Sequence, residues 1–173
     1  MTTSLPEPWL RGPVPGVPAL LQPAAHALQM ALEDTEAAVA DLRDDEVWAS
    51  PGGAASVGFH LGHLAGSTDR LMTYARGEAL TPAQCESLLA ESRVDAARPA
   101  TAALIDAWRA RVALALAQLA ATDAATLTDA REVGRARLPS TVLGLLFHAA
   151  EHASRHAGQL VTTAKVVRSA RRS

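Results

Sequence analysis

The chain has 173 residues and a formal net charge of −2. It is long enough for one domain with its own core. It lacks the excess of basic residues that is typical of a general nucleic-acid-binding surface. The single cysteine, Cys85, excludes an internal disulfide framework and a zinc site built of thiolates. No apolar run approaches the roughly 20 residues that span a bilayer, and no secretory signal is recognisable. We therefore expect a cytoplasmic protein that binds neither nucleic acid nor a membrane.

The composition favours helices, because alanine and leucine dominate and aromatic residues make up only 3% of the chain. Residues 1–17 are rich in proline and form a predicted N-terminal arm, which either lies across the domain or is disordered. Residues 18–170 are predicted to form one bundle domain. Its first helix runs from Pro18 to about Arg43, and the loop that follows contains Trp48 as an apolar anchor.

The second predicted helix begins after Ser56, a suitable N-cap, and ends before Gly77. Three of its residues are glycines at i, i+4 spacing, and each costs about 1 kcal/mol relative to alanine in a helix. We expect the close approach of another helix to compensate for that cost. These glycines are Gly58, Gly62 and Gly66.

The second half of the chain predicts two further long helices. Residues 78–99 form a long crossover that contains a short helix over 83–90. The third long helix covers about 100–121, and the loop over 122–138 could include a short extended pair. The last helix runs over about 139–168. Four long helices and one long crossover, between the second and the third, predict an all-α protein, a four-helix bundle.

Five of the six histidines lie in the second and last helices. His148, His152 and His156 follow one another at i, i+4 steps and form one stripe, which the neighbouring leucines place on the inward face. His60 and His63 lie at i, i+3 on one side of the second helix. Because bundles build metal sites from side chains of facing helices, the two clusters predict a divalent ion held by histidines, with an open position of the catalytic type.

A hydrogen-bonded histidine network in the core is the structural alternative to a metal site. The metal site is favoured because two separate helices supply the same type of ligand. Glu151 is interpreted as a solvated charge rather than as a hydrogen-bond partner of a ligand histidine. Cys85, in the crossover, has no base near it in sequence and is interpreted as a buried or incidental thiol.

Two stretches of the chain resemble motifs of the DinB-like superfamily. Residues 56–64 (SVGFHLGHL) resemble its second-helix motif, and residues 152–160 (HASRHAGQL) resemble its C-terminal HxxxHxGQ motif. The two motifs occur in the order of the family, and the predicted bundle covers nearly the whole domain. The resemblance implies an up-down-down-up four-helix bundle that is often dimeric, so we expect a homodimer.

The resemblance also implies a bound divalent metal ion, with zinc or nickel favoured over iron or manganese. One histidine of the second helix and both histidines of the HxxxHxGQ motif would hold it. In this chain the implied ligands are His63, His152 and His156. Pocket residues or alternative ligands are expected among His60, His148 and Gln159. Gly158 would allow a facing helix to approach.

Characterised branches of this superfamily include thiol-dependent enzymes: S-transferases that use thiols such as bacillithiol or mycothiol, and an isomerase of maleylpyruvate. The resemblance therefore implies transfer of a low-molecular-weight thiol to a small-molecule electrophile, with the metal binding the thiol as thiolate. The alternative is a non-enzymatic stress-response bundle that binds a metal or a small ligand. Ala153 and Ala157 stand where members of the family often carry Glu and Arg. The resemblance therefore does not predict which residues surround the ligand histidines in this chain.

Overall fold

The computed structural model of the chain describes residues 5–91 and 98–171, most of them helical. The described α-helices are α1 (Gln22–Val39), α2 (Asp44–Val47), α3 (Val57–Ala75), α4 (Pro82–Glu91), α5 (Thr101–Ala121) and α6 (Val142–Ala170). A β-hairpin of β1 (Ala130–Val133) and β2 (Leu138–Thr141) precedes the last helix. The four long helices, α1, α3, α5 and α6, form the predicted bundle, and α4 lies in the crossover between α3 and α5. In the described part of the chain, no helix is both long and apolar enough to cross a membrane.

Hydrogen bonds between the long helices define their directions. Arg168, near the end of α6, donates to Asp41, just after α1, at 2.7 Å, so these two helices run parallel. Gln118, near the end of α5, donates to the carbonyl of Met72, near the end of α3, at 2.9 Å, so this pair also runs parallel.

The start of α3 shows how this helix is placed against α6. Ser56 caps it as predicted, because its hydroxyl oxygen accepts a hydrogen bond of 3.1 Å from the Phe59 amide. Thr163, near the end of α6, donates to the carbonyl of Ala55, just before α3, at 3.4 Å. The two helices are therefore antiparallel, and the bundle has the up-down-down-up order.

Apolar side chains from all four long helices fill the space between them. Leu28 of α1, Leu61 of α3, Trp108 of α5 and Leu146 of α6 are each fully buried. Burial of one such side chain contributes about 1.5–3 kcal/mol. The packing of this shared core therefore fixes how α3 and α6 face each other.

The three glycines of α3 have different surroundings. A Cβ at Gly58 would lie 2.8 Å from the ring of Trp48, so this glycine makes room for the predicted anchor. A Cβ at Gly66 would overlap the carboxylate of Glu91 in α4, whereas one at Gly62 would meet nothing within 4 Å. The expected close approach of another helix is therefore found at Gly66, where α4 supplies Glu91, but it is wrong for Gly62. Two of them accommodate single side chains, and the third faces open space.

The segment before the last helix contains an extended pair, the β1–β2 hairpin. Its first strand lies within the loop predicted over 122–138, but its second strand, Leu138–Thr141, begins only at the end of that loop. The expected start of the last helix near Pro139 is wrong, because Pro139 lies in β2 opposite Glu132. Helix α6 begins instead after Thr141, whose hydroxyl oxygen accepts a hydrogen bond of 3.0 Å from the Gly144 amide. The hairpin thus uses Pro139, Ser140 and Thr141, which were expected to open the helix.

The N-terminal arm lies against α1 over its described part. The side chain of Gln22 bonds to the backbone of Val14 and Val17 at 2.7–2.9 Å, and His26 bonds to the Gly12 carbonyl at 3.0 Å. The arm therefore lies across the domain. Residues 1–4 of the predicted arm and 92–97 of the predicted crossover lie outside the described residues.

Candidate metal centre

Helices α3 and α6 bring three histidines together, and they are the three that the resemblance implied. One ring nitrogen from each of His63, His152 and His156 lies within 4.8 Å of the other two. Nε2 of His63 is 2.9 Å from Nε2 of His152. The ring centroid of His156 is 4.5 Å from the centroids of both other rings. Because α6 presents two of these histidines one turn apart, a single residue of the antiparallel α3 can reach both.

The donor set fits a divalent ion. Zinc binds imidazole nitrogen at about 2.0–2.1 Å, so two ligands of a tetrahedral ion stand about 3.3 Å apart. The separation of 2.9 Å between Nε2 of His63 and of His152, and the upper limit of 4.8 Å for the set, lie on either side of that value. All three side chains are half-buried. These three histidines could hold a metal ion.

Glu91 orients His63. Its Oε2 accepts a hydrogen bond of 2.8 Å from Nδ1 of His63. With the proton on Nδ1, the lone pair is on Nε2, which faces His152. Burial raises the pKa of the Glu91 carboxyl, but hydrogen bonds from His63 and Arg70 outweigh burial and place the pKa below its usual value. Glu91 is therefore a carboxylate, as in the carboxylate–histidine pairs that orient metal ligands.

Glu91 was missed by sequence reasoning. The predicted crossover helix ended at residue 90, and nothing in the sequence relates Glu91 to His63, which is 28 residues away. Gly66 was the only local signal, because its missing side chain leaves space for the carboxylate. Its meaning becomes visible only once α4 is placed on α3.

His60 lies beside His156 in the same way that Glu91 lies beside His63. Their Nδ1 atoms are 3.1 Å apart, and His60 is only 4% exposed. Burial, followed by repulsion from positive charge on His156 and His63, lowers the pKa of His60 to about 4. A neutral His60 that accepts the Nδ1 proton of His156 leaves the lone pair of His156 on Nε2. His60 thus belongs to the surroundings of the cluster rather than to the three converging nitrogens.

The environment of the cluster favours neutral imidazole, which is the form that binds metals. Burial first, and then the charges of His156 and His63, lower the pKa of His152 to about 4. Burial is also the largest cause of the lowered pKa of His156. Nδ1 of His152 is buried and has no hydrogen-bond partner among the described residues.

His148 does not face inward with the other two histidines of α6, so the expectation of a uniformly inward stripe is wrong. Its side chain is 49% exposed, and its Nδ1 lies 3.3 Å from Oε2 of Glu151. Each i, i+4 step rotates about 40° around a helix with 3.6 residues per turn. Two steps separate His148 from His156, which turns His148 toward solvent. Glu151 pairs with His148 and Arg155, as expected of a charge on the helix surface.

A cavity of about 530 Å³ is lined by His60, which bonds to His156, and by none of the three converging histidines themselves. Its wall on α6 includes Arg155, Gly158 and Gln159. Gln159 is exposed, in keeping with its expected place in a pocket. The expectation that Gly158 lets a helix approach is wrong, because a Cβ there would meet nothing within 4 Å.

Cys85 is exposed and lines a different groove, so it is not a buried thiol.

Fold and site together describe a class of protein: a four-helix bundle with a histidine cluster, suited to a metal ion, between two antiparallel helices. The model of one family, described as the DinB superfamily, matches residues 27–160. The chain belongs to the DinB superfamily. The match includes most of α1 and both histidine-bearing stretches. No curated protein matches the chain.

Proposed function

We propose that the protein binds a divalent metal ion through His63, His152 and His156. The observation that carries this proposal is the convergence, within 4.8 Å, of one nitrogen from each of three histidines on two helices. The second nitrogen of two of them has a partner, Glu91 or His60, as is usual for metal-binding histidines. Zinc and nickel are the first candidates because both accept imidazole ligands.

The proposed reaction is transfer of a low-molecular-weight thiol to a small electrophile. A divalent ion held by these histidines would lower the pKa of a thiol bound to it and so supply a thiolate nucleophile at neutral pH. Arg155 and Gln159 offer hydrogen-bond donors along the cavity next to His60, where a small polar guest can lie. Membership of a superfamily that includes thiol-dependent enzymes supports this reaction class.

Metal analysis of protein purified without a histidine tag tests the ion site. We expect about one zinc or nickel ion per chain and the loss of most of it in His63→Ala, His152→Ala and His156→Ala. His148→Ala is the matched control: it removes an exposed imidazole one turn from His152 and is expected to keep the metal. Unchanged metal content in all three cluster variants would overturn the proposed site.

Turnover is tested with metal-loaded protein, a panel of low-molecular-weight thiols and small electrophiles, and a chelated sample as the control. Thiol conjugation that depends on the ion is the expected result. A protein that binds the ion yet conjugates none of the thiols would instead be the non-enzymatic binding bundle. The predicted homodimer is tested separately by light scattering.

A further inference from the structure

Helix α4 lies on α3 but buries few of its own side chains. None of its ten residues is buried in the described structure, and Leu88 and Leu89 are 45% and 61% exposed. Its two half-buried residues, Gln84 and Glu91, form hydrogen bonds to α3 near opposite ends of α4. An element with so few buried apolar side chains belongs to the low-stability part of a fold. Its docking on α3 therefore depends strongly on these polar contacts.

The contact at the end of α4 is also a contact with the candidate metal centre. Arg70 of α3 holds both oxygens of Glu91, at 2.5 and 3.1 Å, and His63 donates to Oε2 at 2.8 Å. The carboxylate reaches this position only because residue 66 is glycine. A Cβ there would overlap Oε1 of Glu91 and lie 2.8 Å from the Arg70 guanidinium.

We propose that Glu91 positions His63 for the metal ion and that ion binding is thereby coupled to the docking of α4 on α3. When α4 is docked, Glu91 keeps the Nδ1 proton and the ring orientation of His63, so Nε2 is ready to bind the ion. When α4 is undocked, His63 loses both constraints. The ion thus binds more tightly to the docked form, and by linkage it stabilises docking by the same factor.

This inference rests on the proposed metal site. It adds that α4, the helix of the crossover between α3 and α5, docks more firmly when the ion is bound. None of the three proposed ligands lies in α4, which is linked to the site through the hydrogen bond between His63 and Glu91. The response is confined to a helix whose exposed face, with Cys85 and Leu88, forms one wall of the larger groove against the β-hairpin. Removal of the ion is therefore expected to loosen that wall while the four long helices keep their packing.

A glycine pair in α3 offers a matched test. Gly66→Ala displaces Glu91 without altering a ligand or a charge, and the atoms it meets are the ends of two flexible side chains, so α3 is expected to fold. Gly62→Ala makes the same change one turn earlier, where a Cβ meets nothing within 4 Å. Glu91→Ala removes the carboxylate outright, and Glu91→Gln restores an acceptor oxygen for His63.

Two readouts are measured on full-length protein: the zinc dissociation constant, by competition with a chromophoric chelator, and amide hydrogen exchange in α4 with and without zinc. We expect binding weaker by about 10–100-fold in Gly66→Ala and Glu91→Ala, a smaller loss in Glu91→Gln, and an unchanged constant in Gly62→Ala. Zinc should slow exchange in α4 in the wild type and in Gly62→Ala, but much less in Gly66→Ala.

The outcomes separate this inference from the proposed function. Equal zinc affinity in the wild type, Gly66→Ala and Glu91→Ala would overturn the inference and leave the metal site standing. Exchange in α4 that does not respond to zinc in the wild type would overturn the coupling. A wild-type protein that binds no divalent ion would overturn both.

Discussion

Nδ1 of His60 lies 3.1 Å from Nδ1 of His156, so a histidine outside the converging set forms a hydrogen bond with one inside it. Glu91 has the same relation to His63, at 2.8 Å. Each of these partners engages Nδ1 of a candidate ligand and leaves its Nε2 for an ion. Two of the three candidate ligands are thus oriented by different chemistry, one by a buried neutral imidazole and the other by a carboxylate.

Removal of the His60 imidazole should weaken metal binding without removing a ligand. We expect His60→Ala to raise the zinc dissociation constant by about tenfold, because His156 then loses the acceptor for its Nδ1 proton. Chelator competition measures the change. His26→Ala is the control, since that imidazole bonds to the Gly12 carbonyl on the arm. An equal loss in both variants would contradict an orienting role for His60.

The ion-free protein should lose stability as the pH falls from about 6.5 toward 4. His60 and His152 have folded-state pKa values lowered to about 4, whereas unfolded histidine titrates near 6.5. In this window the unfolded state binds more protons, so acid favours unfolding and stability is complete only above about pH 6.5. The combined loss by pH 5 should be on the order of 2 kcal/mol once solvent screening of the half-buried His152 is allowed for.

Urea unfolding with a chelator present, at pH 7.5 and pH 5, measures this loss. His60→Asn should show a smaller difference between the two pH values than the wild type, because one group that resists protonation is gone. Carboxylates such as Glu46 titrate mostly below this window, since pairing with Arg171 holds the pKa of Glu46 at about 2. A pH dependence that is identical in the two proteins would show that His60 does not contribute.

A larger side chain at Gly158 should block the cavity but spare the metal centre. Gly158 is exposed on α6, and a Cβ there meets no atom within 4 Å. Leucine at this position fills space beside Gln159 and also has a higher helix propensity than glycine. We expect Gly158→Leu to retain its metal and thermal stability while kcat/KM for thiol transfer falls by tenfold or more. Unchanged kcat/KM would place the guest elsewhere.

Core packing can be tested with two leucines of the same helix. Leu119 of α5 is completely buried, and Leu114 is 59% exposed. Leu119→Ala should lower the free energy of unfolding by about 2–5 kcal/mol, because it removes buried methyl groups and leaves a cavity. Leu114→Ala should change it by less than about 0.5 kcal/mol. Urea unfolding of both variants is the measurement, and similar losses would contradict the assigned face of α5.

Local sequence determined much of this protein. The apolar spacing predicted the four long helices, Ser56 marked the start of α3, and the HxxxH spacing placed His152 and His156 on one face of α6. These features depend on residues within about one helical turn of one another, and the helical repeat makes such relations visible in a single chain. The three converging histidines were predicted because their motifs resemble those of a family, not because spacing alone selected them.

The tertiary structure decided which side chains meet. His148 fits the same i, i+4 pattern as His152, yet the rotation of α6 against the shared core turns it to solvent. Glu91 has no spacing signal at all, and it reaches His63 only because α4 folds back over Gly66. The orientation of each helix is set by the packing of all four around one core, and that packing depends on residues far apart in the chain. Local periodicity contains no information about it.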